Sequence, residues 1–147
     1  MTRFAAIDVG SNAMRCLIVE VRPDRSRRVL ESVRAPVRLG SHVFLTGRIG
    51  PVSQAQALDA FRLFRRLIDT HEVEHVRAIA TSAMREATDG EELAALVRGE
   101  TGIDVRIIDG AEEAHLVRRA VGSALDLSKG RAAAVDVGGG SVEILVM

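Results

Sequence analysis

The chain has neither tryptophan nor tyrosine, a single cysteine and only three prolines among its 147 residues. With Cys16 alone, no intrachain disulfide can form and the fold must be held by packing. Cys16 sits in the apolar run Cys16-Leu17-Ile18-Val19, which reads as buried strand and argues against a catalytic thiol. Nowhere do about 18 apolar residues run together, so there is no candidate for a membrane-crossing helix. The N-terminus goes directly into a strand pattern, without the charged opening and apolar stretch of a signal peptide. A cytoplasmic protein is expected, with neither membrane nor nucleic acid as partner. An excess of charge of either sign is missing too, because twenty basic and twenty acidic residues cancel. Any anion site must therefore be local. Lysine is almost absent, Lys129 being the exception, which reads as a bias of composition rather than of chemistry.

What is present is a hydrophobic content of 47% and a charged content of 27%, enough for one ordinary core. Residues 4–9 form a short apolar run stopped by Gly10-Ser11-Asn12, and residues 13–21 resume a strand pattern, so a hairpin is expected. Pro23-Asp24 marks a turn, and Val29, Val33, Val37 and Leu39 alternate loosely as a third strand over 28–39. From Ser53 the period changes: Ala57, Ala60, Phe61, Phe64, Leu67 and Ile68 share one face of a helix, with Ser53 and Gln56 as its capping box. A strand at Val76–Ala80, a polar turn, a helix capped by Asp89 with Glu92, and a strand at Ile103–Ile108 follow. Gly110 opens another helix, with Ala114, Val117, Val121 and Ala124 as its apolar face. Ser128-Lys129-Gly130 then reads as a connector.

After the connector the opening pattern returns. Ala134-Val135-Asp136-Val137-Gly138-Gly139-Gly140 matches Ala6-Ile7-Asp8-Val9-Gly10-Ser11-Asn12, 128 positions earlier, which implies a duplicated domain. The chain ends inside the second strand of the second copy. It is therefore expected to be the front portion of a longer two-domain protein, or else a chain whose last hairpin docks on a partner. The domains are placed at 1–127 and 128–147.

Each glycine turn has what a phosphate site needs. Successive main-chain N–H groups form a concave nest, and small residues leave the approach open. Gly10, Ser11 and Asn12 make one such turn, and Gly138, Gly139, Gly140 and Ser141 the other, with the hydroxyls of Ser11 and Ser141 as additional donors. Asp8 and Asp136 would stand at the mouths, where a carboxylate repels phosphate unless a cation such as Mg2+ bridges them. Glu143 follows the second turn among apolar neighbours and calls for a polar cleft or a cation.

Four stretches together resemble the exopolyphosphatase and guanosine pentaphosphate phosphatase family. They are residues 6–12, Ala80-Thr81-Ser82-Ala83-Met84-Arg85-Glu86-Ala87, Ile108-Asp109-Gly110-Ala111-Glu112-Glu113-Ala114, and residues 135–143. The resemblance implies an α/β fold of the actin-like ATPase (ribonuclease H-like) type, with a mixed five-stranded sheet, its helices, and the first hairpin of a second copy. It implies an Mg2+-dependent hydrolase acting on the terminal phosphate of polyphosphate or guanosine pentaphosphate in an interdomain cleft. Glu113 takes the place of the general base and Arg85 that of the phosphate-directed arginine, while Asp8, Asp136 and Glu143 are the metal carboxylates. Homodimerisation is implied as well, although no contiguous apolar face points to an interface.

From the residues alone, Glu112 and Glu113 are also ordinary acids of a helix's first turn, and Arg85 an ordinary surface partner. His115 and Val142 depart from the family pattern, Val142 removing one hydroxyl from the second turn. His42, His71 and His75 are not spaced as a metal set and are read as exposed loop or helix-end residues. The arginines from Arg22 to Arg38 could guide polyphosphate, but read more simply as a solvated hairpin edge. Two other functions remain open: an actin-like ATPase or sugar kinase, whose phosphate-directed lysine has no counterpart here, and a non-catalytic polyphosphate or nucleotide binder. A cleft half built from 147 residues is expected to turn over weakly.

Overall fold

Alternation of burial along the first two strands sets up the architecture. In β1 (Thr2–Val9), Ala5, Ile7 and Val9 point into the core, and in β2 (Met14–Val21), Met14, Cys16 and Ile18 do the same. The two pair antiparallel, with Asp8 opposite Arg15, around a turn closed by Gly10 N–H donating to the Ala13 carbonyl at 3.1 Å. β3 (Arg27–Ala35) continues the antiparallel meander and ends four residues before the expected Leu39. These observations come from a computed structural model that describes residues 1–125 and 132–146, with only the backbone of Glu143. The expected connector at Ser128-Lys129-Gly130 and the 127/128 boundary lie outside the described residues.

Between β3 and the long helix lies α1 (Gly40–Thr46), which the sequence pattern does not predict. At seven residues it is too short to show a helical period. The expected helix is α2 (Pro51–Thr70), and it begins earlier than Ser53 because Pro51 occupies the first helical turn after Gly50. The Ser53 and Gln56 capping box does not form; the Ser53 hydroxyl instead donates to the Arg38 carbonyl at 3.4 Å. Phe61 and Phe64, edge to face at 6.0 Å, are buried under the sheet, where each aromatic side chain contributes roughly 1.5–3 kcal/mol.

β4 (His75–Ala80) runs parallel to β1, and β5 (Val105–Ile107) parallel to β4, giving the order β3-β2-β1-β4-β5. This is the expected mixed five-stranded sheet. The polar turn after β4 is in fact a short helix, α3 (Ser82–Glu86), and Arg85 belongs to it rather than to a loop. α4 (Gly90–Thr101) starts at Asp89 as expected, but the Asp89 carboxylate does not cap it. Its oxygens are drawn to Ile49 N–H at 3.0 Å and to Arg48 at 3.4 Å, so a tertiary contact has displaced the local one.

α5 (Gly110–Ala124) is capped by Asp109, whose carboxylate accepts from Glu112 N–H at 2.8 Å. It lies on the sheet face opposite α2, where Leu116 lines a cavity together with Ala6, Leu17 and Ile79. None of its residues is buried: the expected apolar face is half-exposed at Ala114, Val117 and Val121 and exposed at Ala124. β6 (Ala133–Val137) and β7 (Val142–Val146) form a separate antiparallel hairpin resting beside α5. Among the described residues no helix is long and apolar enough to cross a membrane.

Candidate functional site

The parallel strands β1, β4 and β5 all end on the same side of the sheet, so the residues that follow them converge. Asp8 and the first glycine turn come from β1, Thr81 and Ser82 from the end of β4, and Ile108 from the end of β5. α5 supplies Glu113, and the β6–β7 turn closes the ring with Asp136, Gly138, Gly139 and Ser141. Together they enclose a cavity of about 490 Å³.

Within it the first turn is braced from below. Ser11 is buried, its hydroxyl 2.8 Å from that of Ser82, and its carbonyl accepts from Gly40 N–H at 2.9 Å. Fixing a turn by side chain and backbone in this way pre-organises its outward N–H groups for an anion. The second turn is closed by Gly138 N–H donating to the Ser141 carbonyl at 2.9 Å. Gly138 N–H, like Gly10 N–H, is therefore spent on shaping its turn, and any anion would have to be met by the N–H groups of the residues that follow.

Asp8 and Asp136 reach the cavity from opposite turns. Burial pushes the Asp8 carboxyl above its ordinary range; Arg15 pulls it back and the Asp136 charge pushes it up again, leaving a net rise. Asp136 and Glu143 are cross-strand neighbours in the hairpin. Among the described residues no group of three or more His, Cys, Asp or Glu is gathered as a metal set. Two convergent carboxylates, one of them strained by the other, nevertheless fit a hard cation that takes oxygen ligands and keeps water.

Arg85 and Glu113 face each other rather than the solvent. Arg85 Nη1 donates to the Ile108 carbonyl at 2.8 Å and to Glu113 Oε2 at 3.1 Å. Their side chains are 29% and 14% exposed, shielded enough for the pair to orient both groups. Next to Glu113, Glu112 bridges Arg77 of β4 and Arg106 of β5, fixing the start of α5 to the sheet.

The chain matches the model of the Ppx/GppA phosphatase family over residues 17–147. The chain belongs to the Ppx/GppA phosphatase family. Exopolyphosphatase 2 of Mycobacterium tuberculosis is 36% identical over 99% of this chain and 48% of its own length. The guanosine-5'-triphosphate,3'-diphosphate pyrophosphatase of Vibrio vulnificus is 28% identical over 97% of this chain and 28% of its own. A crystal structure of an exopolyphosphatase from Cytophaga hutchinsonii superposes with a TM-score of 0.94 at 36% identity, covering 99% of this chain and 46% of that one. The chain thus spans about half the length of the curated exopolyphosphatase it matches. The actin-like fold expected from the four motifs is the fold of these relatives.

Against the Ppx/GppA expectation, the structure brings Asp8, Gly10, Ser11, Asn12, Glu113, Asp136, Gly138, Gly139 and Ser141 around one cavity. Gly140 is not among its lining residues; a side chain there would strike the Phe44 ring and the Ser82 hydroxyl. Arg85 does not line the cavity either and acts on it through Glu113. The Glu143 side chain lies outside the described residues. Of the family departures, His115 is exposed and Val142 opens β7 with 60% exposure. His71 follows α2 as expected, whereas His42 lies within α1, bonded to Arg48 and Thr46, and His75 starts β4, stacked on Phe4.

Sequence reasoning missed Arg15 as a cavity residue and gave Arg34 only as part of a stretch that could guide polyphosphate. They are direct cross-strand partners, a like-charge pairing that costs stability unless an anion is near. The signal was available in part, since Arg15 is one register step from the turn. Arg34 belonged to the stretch read as a solvated edge, and that reading holds for it as for Arg22, Arg25, Arg27, Arg28 and Arg38, all exposed; Arg34, on the edge strand β3, lines the cavity as well.

Proposed function

We propose that this protein is a phosphoanhydride hydrolase that removes the terminal phosphate from linear polyphosphate or guanosine pentaphosphate. The observation that carries the proposal is the single cavity into which two glycine turns, two aspartates and the Glu113 carboxylate converge. The turns would receive phosphate oxygens on main-chain N–H groups, and Arg15 and Arg34 would balance charge at the mouth. Glu113 would accept the proton of the attacking water, with Arg85, which donates to its carboxylate, holding it in orientation. Asp8 and Asp136, with Glu143 beside Asp136 in register, would hold Mg2+, which supplies neutralisation of phosphate charge.

The names of the relatives support both substrates, and the chemistry of the cavity serves either, since each presents a chain of phosphates. The two-domain division at 127/128, a homodimer and a cytoplasmic location belong to the same proposal. The test is phosphate release from long-chain polyphosphate and from guanosine pentaphosphate in the presence of Mg2+. Release from one or both that depends on Glu113 supports the reading. Binding without release by a form that carries both proposed domains assigns the protein to the non-catalytic class instead.

A further inference from the structure

The second turn carries three consecutive glycines, and the structure gives them different neighbours. A Cβ on Gly139 would lie 2.5 Å from Asn12 Nδ2 and 2.6 Å from its Cγ, so the tips of the two turns touch through backbone and amide. A Cβ on Gly140 would strike the Phe44 ring and come within 2.9 Å of Ser82 Oγ. The same edge of that ring is also close to the backbone of its own helix. A Cβ on Gly40 would stand 2.6 Å from Phe44 Cε2 and 2.9 Å from the Ser11 Cβ. Contacts below about 3 Å cannot be kept by real side chains, so a Cβ at either position would force the Phe44 ring to shift, a steric constraint separate from phosphate binding.

Phe44 thus rests one ring edge against two glycine backbones, one of its own helix α1 under the first turn and one of the second turn. It is 41% exposed, the only aromatic near the cavity among the described residues, and the function described above makes no use of its side chain. An aromatic ring has few soft torsions, so it transmits a fixed spacing where a flexible side chain would not. We propose that Phe44 is the positioning residue of the second turn: its ring fixes how closely that turn seats against the first, and so sets the width of the cavity between them. That the seated turns grip phosphate rests on the function proposed above; the seating itself does not.

The test uses a distance and a ligand. Cys16 is buried and its thiol is pushed up to about 11, so spin labels on Leu45→Cys in α1 and Ile144→Cys in β7 attach selectively at sites 86% and 70% exposed. In the intact chain the label distance should be narrowly distributed. Phe44→Ala should lengthen or broaden it, and Phe44→Leu should restore most of the original distribution. Gly140→Ala should widen the separation, and adding Phe44→Ala to it should reverse part of that widening, because the ring that the new methyl strikes is gone. In parallel, tripolyphosphate binding measured by calorimetry should weaken about tenfold in Phe44→Ala, as expected for a misplaced binding group.

An unchanged distance in Phe44→Ala, or strictly additive effects of the two substitutions, overturns the proposal. A distance that shifts as described while no form of the chain binds tripolyphosphate leaves the seating intact and refutes the phosphate reading instead.

Discussion

Replacing Arg85 by alanine tests whether the ion pair at the centre of the site exists in solution. The substitution removes one hydrogen bond to the Ile108 carbonyl and one charge-assisted bond to Glu113, both made by Nη1. The first is worth about 1 kcal/mol and the second about 1.5–3, reduced here because Arg85 is 29% exposed. A loss of about 2–3 kcal/mol follows, and a chain of this length should lose roughly 5–10 °C in Tm. Arg85→Lys keeps the charge but not the planar fork and should recover only part of the loss. The assay is thermal unfolding followed by circular dichroism, extended to a double-mutant cycle with Glu113→Gln. The cycle should show a coupling of about 1–2 kcal/mol. A Tm within about one degree of the parent for Arg85→Ala, or no coupling in the cycle, would refute the reasoning.

Three further outcomes are expected. Gly90→Ala should destabilise the chain by about 1–3 kcal/mol in denaturant unfolding, because the added methyl would collide with the Met84 carbonyl, backbone that cannot step aside. Cys16 should resist thiol reagents at pH 8 in the native state and react on unfolding. Because its folded thiol keeps the proton to about 11 rather than 9.0, stability should fall as pH rises through that window; rapid native labelling would contradict this. Mg2+ at ten times its dissociation constant should stabilise the parent by about 1.4 kcal/mol and should do less for Asp8→Asn, as read by thermal shift. Equal shifts in both would remove Asp8 from the cation site.

Much of the fold was legible because burial alternates cleanly where the chain forms central strands. Ile7 and Val9 against Cys16 and Ile18 mark the opening hairpin, and the Phe61 and Phe64 face marks α2. What was not legible depends on partners distant in sequence or on elements too short for a period. α1 and α3 have only seven and five residues. Asp89 carries every local sign of a cap, yet its oxygens go to Ile49 and Arg48, forty positions away or nearly so. The candidate site divides in the same way. Asp8, Asp136 and the turns are recognisable from their repeated local pattern, and Glu113 from its motif. The Arg85 pairing with Glu113 joins residues 28 apart, and the Arg15 and Arg34 pairing appears only once strand register is known. Gly140 was read as a phosphate ligand because three glycines look alike in sequence; packing against Phe44 is what distinguishes it.

The central claim is that Glu113 activates water in a cavity built from two phosphate turns. The most direct measurement is phosphate release from polyphosphate and guanosine pentaphosphate with Mg2+ by a parent form that carries both proposed domains and by its Glu113→Gln variant, alongside tripolyphosphate binding by both. The account predicts that the glutamine variant releases phosphate about 10²–10⁴-fold more slowly while still binding. Release at the parent's rate by Glu113→Gln would contradict it.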